Sequence, residues 1–149
     1  MEYDEIIPGR LYAGKQIDAA GWKALQKLGV SSIVNLRTEP DRVPADYRWP
    51  LHEHWFRLSD TSRPQLQQLV QMVDAAIHDL NEGRVLYVHD VAGRNRLGFF
   101  LTALLMRIDR LPWHSALKRA RELRPVLAPR SQFRDLLAEY QRYLQIPNG

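Results

Sequence analysis

The apolar positions of the chain change period several times, and each change marks an element. "GRLYAG" (Gly9–Gly14) is a short apolar run bounded by glycines and reads as a strand. "DAAGWKALQKLG" carries helical spacing, with Asp18 as candidate N-cap and Gly29 as candidate C-cap. The β-branched run "VSSIVNLR" (Val30–Arg37) predicts the next strand, and "TEPDRVPADYRWP", rich in proline and charge, predicts a loop. "LHEHWFRL" (Leu51–Leu58) alternates as a strand does. Leu66, Leu69, Val70, Val73, Ala76, Ile77 and Leu80 then fall on one helical face that Gly83 ends. "RVLYVH" is a continuous apolar run of the buried-strand type. Three helical stretches follow, Leu97–Arg110, Trp113–Leu123 and Ser131–Leu144, divided by Pro112 and by "RPVLAP". Strands and helices alternate first and helices follow. The class is therefore α/β, with a central, mainly parallel sheet flanked by helices.

Length and composition narrow this picture. The 149 residues suit a single domain, 1–149, with a real core, and nothing in the chain reads as a repeat or a linker. The longest apolar run, "LGFFLTALLM", falls well short of the ~18 residues of a membrane span. "MEYDEIIPG" has none of the regions of a signal peptide, so the expected location is cytoplasmic and no membrane partner is expected. There is no cysteine, which excludes disulfides, thiolate metal sites and a cysteine nucleophile. The five histidines show no familiar metal spacing; His52 and His54 share a strand face, but two ligands are too few for zinc. No metal and no cofactor is expected. The net charge is +4, carried mostly by arginine, whose planar fork suits phosphate and carboxylate. "LKRARELRP" reads as a solvated charged face rather than a nucleic-acid stripe.

One stretch carries chemistry. In "VLYVHDVAGRNRLG" a buried strand reaches a glycine turn and then an apolar helix. Successive N–H groups in such a turn converge on one point, and the helix N-terminus adds its positive end. Arg96 at the helix start can bind two oxygens of a tetrahedral anion through its fork. The bland alternative is a plain strand–helix connection with exposed arginines.

"VHDVAGRNRLG" resembles the signature loop of the protein tyrosine phosphatases, particularly the small dual-specificity type. That pattern is His-Cys, five residues, Arg, Ser or Thr, then Gly; His89, Gly93, Arg96 and Gly98 match it. "IIPGRLYAG", "LGVSSIVNLR", "FRLSDTSRP" and "LRPVLAPRSQFRDLLAEY" are similar, in order, to further segments of the same fold. The resemblance implies a phosphate-binding loop of His89, Val91, Ala92, Gly93, Arg94, Asn95 and Arg96 between strand and helix. It implies that Asp60, about thirty residues before the loop, stands at the general-acid position. Asp60 is alternatively an N-cap for the helix that follows it. The family's ligands are phosphorylated proteins or small phosphomonoesters. "TEPDRVPADYRWP" is a candidate pocket wall, with Arg37 and Arg42 as candidate contacts.

Two departures fall on the chemistry. The cysteine position is Asp90, and the hydroxyl position after Arg96 is Leu97. Repulsion of phosphate does not by itself separate the two loops. Unit charges 4 Å apart interact by about 4 kcal/mol at an effective dielectric near 20, but a reactive thiolate carries the same charge. Shape and reactivity do separate them: a carboxylate reaches further, and its oxygens can accept hydrogen bonds from the loop N–H groups or from Arg96. The expectation is a self-filled cradle and an inactive phosphatase scaffold, either a natural pseudophosphatase or an altered version of an active enzyme. Two alternatives stay open: a module that binds phospho-ligands through Arg96, Arg94 and the loop N–H groups, and a new reaction with Asp90 as base. Against the second, donors around an aspartate favour its charged form, and His89 is expected to support the loop rather than react.

Overall fold

A computed structural model describes all 149 residues. Five strands form one sheet in the order β1-β2-β5-β3-β4: β1 (Tyr3–Ile7), β2 (Leu11–Gly14), β3 (Ser32–Asn35), β4 (His52–Trp55) and β5 (Leu86–His89). Only β1 runs antiparallel to its neighbour; β2, β5, β3 and β4 are parallel. The helices are α1 (Ala19–Leu28), α2 (Leu66–Asn81), α3 (Asn95–Asp109), α4 (Trp113–Leu123) and α5 (Ser131–Tyr143).

A central parallel strand is covered on both faces and needs no polar alternation. β5 meets that condition: Leu86, Tyr87, Val88 and His89 are all fully buried. Leu86 and Val88 face the main core, 29 buried residues supplied largely by α2, α3, α4 and α5. Tyr87 faces a smaller cluster with Tyr12, Trp22, Leu25, Val30 and Ile33 beneath α1. α3 passes through the middle of the large core, and every residue from Arg96 to Met106 is buried. That is why its sequence is apolar on all sides rather than on one stripe.

Local signals in the sequence match the folded chain at α1. The Asp18 carboxylate accepts from the Gly21 N–H at 2.6 Å, and Gly29 closes the helix in the left-handed region at φ 75°. β1 is a strand that the hydrophobic pattern did not announce. "YDEII" mixes charge into a half-exposed edge strand, and its pairing with β2 is shifted between Glu5 and Ile7. Asp60 does not cap α2, whose N-cap is Gln65. The sheet register places His89 between Gly14 and Asn35, so the β5–α3 loop leaves from the middle of the sheet's C-terminal edge.

Candidate active site

The loop from Asp90 to Arg94 is held from outside by its carbonyls. The Asp90 carbonyl lies 3.2 Å from the His89 ring Nδ1, and the Val91 carbonyl accepts from the Gln16 N–H at 3.2 Å. The Gly93 carbonyl accepts from Arg124 Nε at 3.0 Å. The Arg94 carbonyl accepts from the N–H groups of Ala128 at 2.9 Å and Gly98 at 3.2 Å. In a trans peptide the N–H points away from the carbonyl of the same unit. Fixing these four carbonyls outward therefore turns the N–H groups of Val91, Ala92, Arg94 and Asn95 inward. None of these four, nor the Arg96 N–H, donates to any group of the chain.

Gly93 allows the turn, because its φ of 72° lies where other residues are strained. A Cβ there would also collide with the Arg124 guanidinium and the Gly14 backbone.

Asp90 is buried and turned into the loop. Its Oδ1 accepts from the Gly93 N–H at 2.5 Å and its Oδ2 from the Leu97 N–H at 2.9 Å. The sequence-based expectation of a self-filled cradle is thus only partly met. The carboxylate takes two N–H groups beneath the turn and leaves the other five. Arg96 makes no bond to it: Nη1 donates to the Leu58 carbonyl at 3.1 Å, and Nε lies 3.6 Å from Asp60 Oδ1. That Nε is buried and has no hydrogen-bond partner in the chain.

Asp60 sits across from the loop. Its Oδ1 accepts from Asn95 Nδ2 at 2.6 Å, and Arg130 Nη1 lies 3.5 Å from Oδ2. Its carbonyl also receives Arg130 and Gln132. Loop residues Asp90, Val91, Ala92, Arg94, Asn95 and Arg96 line a cavity of about 590 Å³ together with Asp60, Ala128 and Arg130. Leu97 is fully buried in the main core, so its side chain points away from this cavity while its N–H serves Asp90.

The structure corrects the proposed wall. "TEPDRVPADYRWP" does not line the cavity; Ala128 and Arg130 from the α4–α5 connection do. The proline-rich loop acts from behind instead. Its Asp41 Oδ2 lies 2.7 Å from His89 Nε2, and its Oδ1 accepts from Arg37 at 2.9 Å. Asp41 at Nε2 and the Asp90 carbonyl at Nδ1 set the orientation of the His89 ring, and only its doubly protonated form donates to both. Arg37 is spent on Asn35, Asp41, Gln16 and the Pro40 carbonyl, and Arg42 is exposed. His54 Nε2 pairs with Asp79 at 2.7 Å while His52 is exposed, and no three His, Asp or Glu side chains are placed to hold a metal ion.

Arg124, like Arg130 and Asp41, is a side chain that sequence reasoning missed. It lies in the segment read as a solvated face, yet its side chain is 1% exposed. The usable signal is Pro125, which ends α4 and lets Arg124 leave the helix with extended backbone at φ −143°, ψ 93°.

Residues 11–143 match the family model described as dual specificity phosphatase, catalytic domain. Human dual specificity protein phosphatase 15 is 28% identical over 137 residues, which cover 91% of this chain and 44% of that protein. Mouse dual specificity protein phosphatase 14 is 28% identical over 141 residues, covering 93% and 69%. The crystal structure of human DUSP28 superposes with a TM-score of 0.82 at 25% identity, covering 96% of this chain and 95% of that one.

Proposed function

The chain belongs to the dual specificity phosphatase catalytic-domain family, and we propose that this domain has kept the family's oxyanion loop and lost its hydrolytic chemistry. The observation that carries the reading is the placement of Asp90. By the signature-loop resemblance, Asp90 stands where the family has its cysteine nucleophile. Both its oxygens accept backbone hydrogen bonds, from Gly93 and Leu97. A hydrogen-bonded carboxylate is a harder and weaker nucleophile than a thiolate toward phosphorus. Leu97 adds to the loss, since an aliphatic side chain buried in the core supplies no hydroxyl to the loop. Asp60 and Arg96 remain at the family's acid and anion-binding positions, but there is no cysteine in the chain to form the covalent intermediate they would serve.

A general-base role for Asp90 is not favoured, because each of its oxygens already accepts a backbone N–H, which aims the carboxylate at Gly93 and Leu97. Reversion tests the reading. Asp90→Cys, alone and with Leu97→Ser, is assayed on an aryl phosphate. Hydrolysis by the double variant supports the account, and none at all would mean that more than these two positions silence the scaffold.

A second reading is supported by the five unpaired loop N–H groups and by the buried, unpartnered Nε of Arg96. These are donors suited to a tetrahedral oxyanion. In this reading the domain captures a phosphomonoester, on a phosphorylated protein or a small molecule, without turning it over. Calorimetry with inorganic phosphate, vanadate, sulfate and a phosphopeptide tests it. Binding that is undiminished in Arg96→Ala would place the anion elsewhere.

A further inference from the structure

The buried guanidinium of Arg124 lies behind the loop, outside the cavity, and reaches two parts of the chain that are far apart in sequence. Nε donates to the Gly93 carbonyl at 3.0 Å, Nη1 to Asp4 Oδ2 at 2.8 Å and Nη2 to Glu2 Oε1 at 2.7 Å. The two carboxylates are exposed, by 54% at Glu2 and 40% at Asp4, although the cation that they hold is not. The guanidinium holds the Glu2 carboxyl below its ordinary range, by hydrogen bond and then by charge. Glu2 is also tied to the sheet, where its carbonyl accepts from the Lys15 N–H at 3.0 Å.

We propose that Arg124 is a positioning residue for the oxyanion loop, and that Glu2 and Asp4 at the first strand hold it in place. The cause is the geometry of one peptide unit. Arg124 fixes the Gly93 carbonyl outward, and the N–H across that planar unit, on Arg94, is thereby aimed into the cavity. The fork of arginine is needed because three donors serve three acceptors at once. Lysine has a point charge and no fixed fork. Without the carboxylates a buried guanidinium is left uncompensated, and it would leave the Gly93 carbonyl to reach water. The first strand is thus part of the anion site although none of its residues lines the cavity.

The inference rests on the anion-binding reading for its functional consequence, but not for its geometry, and the test separates the two. Arg124→Lys and the Glu2→Gln/Asp4→Asn pair, each in the whole 149-residue chain, are compared with the parent. The control is Leu80→Ala, a core truncation at the far end of the sheet from the loop, where Leu80 is 5% exposed. The Arg94 amide is followed by nitrogen–proton NMR without ligand, and inorganic phosphate is then titrated. We expect the Arg94 resonance to move in both test proteins. Phosphate affinity should fall about tenfold, as for loss of one charge-assisted contact. Leu80→Ala should show neither. An unmoved Arg94 amide, an equal change in Leu80→Ala, or unaltered affinity in test proteins whose parent binds phosphate would overturn the proposal. If the parent binds no phosphate while the amide still responds, the positioning role stands and the anion-binding reading is what fails.

Discussion

Replacing Asp90 with alanine or asparagine asks whether its carboxylate is a support of the loop or a strained remnant in it. In the native protein two backbone N–H groups donate to one buried carboxylate, at 2.5 and 2.9 Å. Hydrogen bonds to a charged group contribute about 1.5–3 kcal/mol each. Alanine removes both, while the adjoining cavity lets water reach part of the gap and relieves the burial of charge. A net loss of about 2–4 kcal/mol follows. For a protein of this size each kcal/mol shifts Tm by about 2–4 °C, so Asp90→Ala should melt roughly 5–12 °C below the parent. Asparagine keeps one acceptor but turns an NH2 group against the second N–H, so it should lose a similar amount. Thermal and urea unfolding followed by circular dichroism measure both. If either variant is as stable as the parent or more so, the carboxylate is a buried charge that the loop tolerates, and the support reasoning fails.

Other expectations follow from single positions. Gly93→Ala combines a φ of 72° with a collision against Arg124 and Gly14, and should cost about 2 kcal/mol or more in urea unfolding. Burial raises the Asp79 carboxyl, but the Ser32 hydroxyl, His54 and Arg84 together outweigh it and hold it below the ordinary 3.8. A depressed folded-state value means stability that is present above 3.8 and lost as pH falls through the folded value. Asp79→Asn should therefore flatten the acid limb of the stability profile. An acid limb identical to the parent's would show that Asp79 is not its source.

How much was legible varied with how local the cause was. The caps of α1 could be read because Asp18 and Gly29 act within a few residues of the helix they bound. β5 could be read because a strand covered on both faces is apolar throughout, and Leu97 because a core helix is apolar all round. Arg124 could not. In "LKRARELRP" its neighbours are solvated, and the two carboxylates that make its burial affordable lie 120 and 122 positions away. The acidic start of the chain had no visible role in the sequence, and its partner is visible only in three dimensions. Asp41 was hidden in the same way, in a loop whose prolines and charges suggested a pocket wall rather than a brace for His89. The Asp90 carboxylate was expected to take donors from the loop or from Arg96. Only the fold shows that Arg96 is turned toward Leu58 and Asp60 instead.

With Asp90 in place of a cysteine nucleophile, the unaltered chain should not hydrolyse phosphomonoesters. The most direct measurement is release of 4-nitrophenol from its phosphate ester by the parent protein beside Arg96→Ala and buffer alone. The three rates should be indistinguishable. A parent rate above buffer that disappears in both Arg96→Ala and Asp90→Asn would contradict this, and would make Asp90 a working nucleophile.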